Sequence, residues 1–205
     1  LKRPYQLVPK AASAVVRPHY LDDAGRTLPD DAPAERIAES VYDIPIRRGI
    51  LYAPHPAFAR DEQGRLRYHA LTHEQLGAKR SPFDFEHRGT RELVAADFVY
   101  ALKRHATTRI EAPVFSVFAE YVIGLKDYAE RVRAEDAKLL AGLPRDIRDK
   151  PFLDFRQWPL AGASAPDTHT FRVRLKGKYP QMSYWMAMPF FAPVPWEADA
   201  FYAQP

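Results

Sequence analysis

The chain has 205 residues, 46% of them hydrophobic and 13% aromatic, which is enough apolar side chain for one real core. Its 30 basic and 26 acidic residues leave a formal charge of +4. Acids interleave with the bases almost everywhere, so the one-faced basic patch of a nucleic-acid binder is not indicated. The lack of cysteine excludes disulfides, thiolate metal sites and cysteine nucleophiles.

No stretch approaches the roughly 20 apolar residues that cross a bilayer, and no charged-then-apolar leader opens the chain. It begins with Leu1 and stops in Gln204-Pro205 without a closing element. The expectation is a piece of a longer protein.

Residues 1–40 carry Pro4, Pro9, Pro18, Pro29 and Pro33 and the turn-like Asp22-Asp23-Ala24-Gly25. They read as mostly extended or irregular chain, with Tyr5-Gln6-Leu7-Val8 as a candidate strand. Residues 41–47 alternate, with Tyr42, Ile44 and Ile46 on one side and Asp43, Pro45 and Arg47 on the other. Period-2 alternation predicts a half-buried strand, and Pro45, lacking an N–H, pushes it toward an edge or a bulge. Residues 51–90 show no clear periodicity, apart from a short helix start at Thr72 to Leu76 with Thr72 as its cap. A structureless insert of this length wraps a surface or has a task of its own.

The strongest helical pattern covers residues 95–107, where Ala95, Phe98, Val99, Leu102 and Ala106 recur at helical spacing. Asp97 in its first turn and Lys103-Arg104 near its end suit the helix dipole. A second helix is expected from Val114 to Ile123, broken at Gly124. A third is expected from Lys126 to Leu140, stopped by Gly142 and Pro144. The second convincing strand is Thr168 to Lys176, with Phe171, Val173 and Leu175 facing inward. From Tyr179 to Phe191 the chain is a dense apolar and aromatic run. Separated strands and helices of this kind predict an α+β fold, a small mixed sheet with packed helices.

Three segments in this order resemble one family. Val41-Tyr42-Asp43-Ile44-Pro45-Ile46-Arg47-Arg48-Gly49-Ile50 is similar to a strand ending in a basic residue, Gly and an apolar residue. Arg91-Glu92-Leu93-Val94-Ala95-Ala96-Asp97-Phe98-Val99-Tyr100-Ala101-Leu102-Lys103-Arg104 is similar to that family's Leu-Thr-Ala-Glu-Asp helix with its Tyr-Ser and basic-Arg end. Pro166-Asp167-Thr168-His169-Thr170-Phe171-Arg172-Val173-Arg174-Leu175 is similar to its later strand. That segment is followed by Tyr179-Pro180, Met186-Ala187-Met188-Pro189 and the Ala192-Pro193-Val194-Pro195 turn. The family is the extracellular solute-binding proteins of bacterial ABC importers, of the peptide/nickel-binding class, often called family 5.

The resemblance implies a partial lobe of a periplasmic-binding-protein-like fold, class II and peptide-binding type, from the N-terminal half of a two-lobed clamp. Residues 1–40 would be an irregular lead-in from the first lobe. Residues 41–200 would be the extra subdomain and first-lobe region, with an insert at 51–90. It implies a periplasmic or membrane-associated extracellular protein that carries an oligopeptide or another small solute to an ABC permease in the inner membrane, with no reaction and no cofactor. It places Phe115, Phe118 and Tyr121 where peptide-binding relatives approach one end of the ligand; the simpler reading has Phe115 and Phe118 filling the core. An envelope protein–protein interaction domain, docking through residues 51–90, is the competing class.

The sequence departs from the family pattern twice. About forty residues stand where the family has a short turn, so their role is not inherited. Val94 stands where the family places a capping Thr and offers no oxygen to the first helical N–H groups.

Other chemistry is thin. His69 and His73, four apart, suit a zinc pair only on a helix and only with a third ligand. His73-Glu74 does not open the zincin pattern, since no His follows at the required offset. No phosphate loop or nucleophile elbow is present. No metal site and no catalytic residue is assigned, and the protein is read as not an enzyme.

Overall fold

The computed structural model describes residues 6–144 and 150–204. Its centre is one five-stranded sheet in the order β2-β1-β3-β5-β4. The strands are β1 (His19–Leu21), β2 (Thr27–Leu28), β3 (Glu39–Pro45), β4 (Ala163–Asp167) and β5 (Thr170–Lys176). Every pairing is antiparallel. The fold is therefore a small α+β domain whose sheet is antiparallel throughout, not mixed as expected. The reason lies in the connections: β1–β2 and β4–β5 are hairpins, and β5 returns beside β3 from the opposite end.

The two strands with clear alternation form the central pair. Tyr42 faces Val173 and Ile44 faces Phe171 in register. Tyr42, Ile44, Ile46, Phe171, Val173 and Leu175 all enter the main core. Burying such side chains contributes about 1.5–3 kcal/mol each, before chain entropy is counted. On the opposite face Arg172 grips Asp43 directly across the pair, at 2.6 and 2.7 Å. Arg174 reaches Glu39 diagonally at 2.6 Å. Partly exposed pairs of this sort add little stability, but they oppose the one-residue slip that would turn the core residues outward.

Within residues 1–40 two short strands join the sheet, while residues 6–8 take no regular form and Tyr5 lies outside the described residues. The β1–β2 turn is built on Asp22, whose Oδ1 accepts the N–H groups of Ala24 and Arg26 at 3.0 and 2.9 Å. Its Oδ2 accepts from the Arg26 side chain at 2.8 Å. Asp61 repeats this at Gln63 and Arg65, at 3.0, 2.8 and 2.9 Å. Both turns need a left-handed residue, filled by Gly25 and Gly64 at φ 72° and 77°. The shared Asp-x-x-Gly-Arg pattern is a local solution used twice.

The helices are α1 (His73–Gly77), α2 (Ala95–Arg104), α3 (Phe115–Tyr121), α4 (Leu125–Leu140), α5 (Met182–Trp185) and α6 (Trp196–Tyr202). α2 lies over β4 and β5, with Phe98 stacked on Phe171 at 5.6 Å. α4 buries Leu125, Tyr128, Ala129 and Val132 and shows its charged side to solvent. Thr72 caps α1 as expected: its hydroxyl accepts from Gln75 N, and the Gln75 side chain accepts from Thr72 N. At α2 only half of such a box exists. Asp97 accepts from Val94 N at 3.1 Å, while Val94 returns nothing. Replacing Val94 with Thr is expected to add about 1 kcal/mol of stability. Urea denaturation would register it as a higher midpoint at constant slope, and an unchanged midpoint would contradict it.

Residues 51–90 are mostly irregular, and their buried residues arrive singly rather than periodically. Pro56, Ala57 and Phe58 form a buried 3-10 turn. Ala57 and Phe85 join Phe201 of α6 in a satellite core, with Tyr68, Leu71 and Leu76 against it. The insert leaves and rejoins the domain at one place. Leu93 N donates to Ile50 O at 2.8 Å, Tyr52 N to Arg91 O at 3.0 Å, and His55 and Gly89 exchange both backbone bonds. Gly89 sits so close to the Phe58 carbonyl that a Cβ there would overlap it.

Candidate functional site

The aromatic end of the molecule is assembled by α3, α5 and the chain between β5 and α5. After α3, Val122 pairs with Leu175 as an isolated bridge, and Ile123 N donates to Arg174 O at 3.1 Å. This stretch continues along β5 on the side where β4 stops. Gly162 permits it, because a Cβ there would strike the Ile123 carbonyl and stand 2.6 Å from Val122 Cγ1. α3 is thereby held at one end of the sheet.

The three aromatic residues expected near a ligand have different surroundings. Phe118 is 1% exposed and packs edge-on against His105, Trp185 and Phe191, with centroids 5.7, 6.0 and 5.0 Å away. It is a core residue with no surface to offer. Phe115 is half-buried beneath the Arg133 guanidinium, 5.3 Å from the ring centre. Tyr121 is the one of the three that pairs face to face with a second ring. It stacks on Tyr179 at 3.7 Å and 15°, and both rings are half-buried.

Tyr179 is fixed from two sides: its hydroxyl accepts from Trp185 Nε1 at 2.8 Å, and its carbonyl accepts from the Tyr42 hydroxyl at 3.4 Å. Tyr184 and Met188, farther along the same run, are 46% exposed each. Stacked rings with a fixed hydroxyl suit an apolar or amide-bearing solute, which they hold by contact and main-chain hydrogen bonds. The Tyr121–Tyr179 pair was not legible in sequence, since 58 residues separate its members.

Behind this surface lies His105. Its Nε2 bonds the Phe190 carbonyl at 2.9 Å, and its Nδ1 is buried without a partner. A ring whose Nε2 must donate to a carbonyl keeps Nδ1 as a bare acceptor. Burial pushes its pKa down and so favours that neutral form.

A second polar cluster joins the insert to the helices. Arg91 spends all its donors. It makes two bonds to Asp97 at 2.8 and 2.7 Å, two to Glu197 at 2.7 Å each, and one to the Glu92 carbonyl at 2.9 Å. The Tyr52 hydroxyl adds a bond to Asp97 at 3.0 Å, and the guanidinium lies over the Tyr52 and Phe58 rings at 5.2 and 5.6 Å. Burial alone would pull the Arg91 pKa down, but its bonds to Asp97 and Glu197 outweigh that and raise it. Burial and the neighbouring Asp97 charge push the Tyr52 pKa upward as well. All five Arg91 N–H groups are used and both carboxylates accept from them, so the cluster ties the insert to α2 and α6.

Asp97, read from the sequence as a first-turn charge, is 2% exposed and has that structural role. His69 and His73 do not share a helical face, because α1 begins at His73. His69 instead bonds the Ala57 carbonyl at 3.0 Å. Among the described residues no group of three His, Cys, Asp or Glu side chains could hold a metal ion.

A cleft of about 260 Å³ lies between the end of α2, residues 150–155 and the end of α6. That is below the roughly 300–1,000 Å³ of ordinary ligand pockets. Arg104 Nε donates to Asp199 at 3.0 Å, and Arg109 holds Asp136 and the Pro151 carbonyl. It shares no lining residue with the aromatic surface.

No family model, no curated protein and no solved structure matches the chain. Among the described residues no helix is long and apolar enough to cross a membrane.

Proposed function

We propose that this chain is part of the extracellular solute-binding protein of a bacterial ABC importer, of the peptide/nickel-binding class, and that it holds cargo without transforming it. One observation carries the reading: the three family-like segments, far apart in sequence, interlock in space. Glu92 Oε1, from the second segment, accepts from Gly49 N of the first at 2.6 Å and meets His169 Nε2 of the third at 3.1 Å. Ile46 N donates to His169 O at 2.7 Å, Ala95 N to Thr168 O at 2.9 Å, and Val194 N, in the Pro-Val-Pro turn, to Asp97 O at 3.2 Å. The extra forty residues enter and leave through one neck, as an elaborated short turn would, and so leave that arrangement intact.

On this reading the Tyr121–Tyr179 stack is the part of this lobe that meets solute, and the opposing lobe supplies the rest of the grip when the hinge closes. The protein works in the periplasm and hands its cargo to a permease. A thermal-shift and calorimetric screen of the full-length protein against peptide mixtures tests this. Micromolar binding that weakens in Tyr121→Ala is the expected result; no stabilisation by any small solute would overturn it. Mass spectrometry of whatever co-purifies would name the solute.

The competing role, docking of an envelope partner through residues 51–90, has one observation in its favour: Phe83 is 78% exposed on that segment. Deleting the segment would remove every residue of the satellite core except Phe201 and so could not separate the two roles. Phe83→Ser is the discriminating variant. It leaves solute binding unchanged under the first reading and abolishes partner capture under the second.

A further inference from the structure

We infer that His55 is an acid-sensitive latch, which holds the 56–85 segment against α6 while its ring is neutral and releases it when the ring takes up a proton. The geometry fixes the tautomer. The Ala57 N–H points at His55 Nδ1 at 3.1 Å. An amide can only donate, so Nδ1 carries a lone pair. The hydrogen of the neutral ring therefore sits on Nε2, which lies 2.9 Å from the Tyr202 hydroxyl. One uncharged ring thus caps the buried 56–58 turn on one side and ties it to the end of α6 on the other. Protonation places a hydrogen on Nδ1, facing the Ala57 N–H, and two donors cannot share that contact.

Among the described residues the surroundings offer the cation no carboxylate partner in return. Around His55 pack the Phe58 ring at 6.4 Å, the Phe201 ring at 5.4 Å and the Tyr202 ring at 5.6 Å. The titratable and charged groups on the packed elements are the Tyr202 hydroxyl and Asp199 of α6, the latter bound to Tyr100 and Arg104, Arg88 beside Gly89, which lies over the Phe83 ring, His69, which bonds the Ala57 carbonyl, and the Tyr52–Arg91–Asp97–Glu197 cluster beyond Phe58. The cluster's carboxylates are committed to Arg91, and no carboxylate pairs with His55 among the described residues. Burial also lowers the His55 pKa.

The sign follows. The folded value lies below the ordinary 6.5, so the unfolded or opened form binds the proton more readily. The latch is intact above the ordinary value and weakens as pH falls through it toward the folded value. Opening would bare Ala57, Phe85 and Phe201, which now bury one another.

Amide exchange in residues 56–85 and 196–204 of the full-length protein, corrected for intrinsic rates, tests this. Between pH 7 and pH 5.5 the open population is expected to rise, by up to about tenfold per pH unit for one proton. His55→Asn, whose side-chain oxygen can still accept from Ala57 N but does not titrate, should remove that rise. A second measurement needs no variant: the His55 ring followed by NMR should titrate below its ordinary value. An acid response that persists unchanged in His55→Asn, or a His55 that titrates at or above the ordinary value, would overturn the inference.

Discussion

Replacing Arg91 with Ala is expected to cost about 3–5 kcal/mol of folding stability, because it leaves two buried carboxylates facing each other without a cation. Asp97 is 2% and Glu197 is 4% exposed, so solvent does little to screen them. The loss should be concentrated in the contact between the insert, α2 and α6, since Arg91 belongs to the neck and its partners to the two helices. Arg91→Lys would keep the charge but not the planar fork, which makes two bonds to each carboxylate here, and should recover only part of the loss. Urea denaturation of the three proteins checks this. A cost below about 1 kcal/mol for Arg91→Ala would mean that water reaches the cluster and that it behaves like a surface ion pair.

The second large effect is expected at Phe118. Truncation to Ala removes a ring packed against three others and should cost about 3–5 kcal/mol, the range for a buried Phe. Tyr121→Ala, three residues along the same helix, should cost well under half of that, because the ring is only half-buried. Under the proposed function the order of effects should reverse for solute affinity, where Tyr121 is the residue expected to matter. Thermal denaturation and calorimetry on the same two variants separate a core position from a contact position. Equal stability losses would show that Tyr121 belongs to the core as well.

The parts of the fold that sequence reveals are those where one residue type recurs at a fixed spacing. The alternation of Tyr42, Ile44 and Ile46 and that of Phe171, Val173 and Leu175 mark β3 and β5. The periodic pattern of Ala95, Phe98 and Leu102 marks α2, which ends at Arg104 and not at residue 107. Gly124 separates α3 from α4 as expected, and it does so in the left-handed conformation at φ 72°. The direction of strand pairing was not legible, because period-2 alternation is the same in parallel and antiparallel neighbours.

The satellite core was hidden for a different reason. Ala57, Phe85 and Phe201 come from three separate places and have no period to show. Gln204 reinforces the same contact from the chain's end by accepting from Leu71 N and donating to Tyr68 O. The Arg91 cluster needed Glu197, 106 positions away. The aromatic surface joins Tyr121 to a run that reads only as uniformly apolar. The family resemblance singled out Phe115, Phe118 and Tyr121 together, but which of these rings is buried depends on how α3 is seated along β5.

The two borders of the sheet have a consequence for how copies of this protein meet. β2 offers only two residues to a newcomer. On the other border β4 carries Pro166, which has no amide hydrogen, and its pairing is irregular between Ser164 and Asp167. Neither side gives an incoming chain an unbroken row of donors and acceptors. Self-assembly by strand addition, the common route to fibrils, is therefore disfavoured at both borders of the folded sheet.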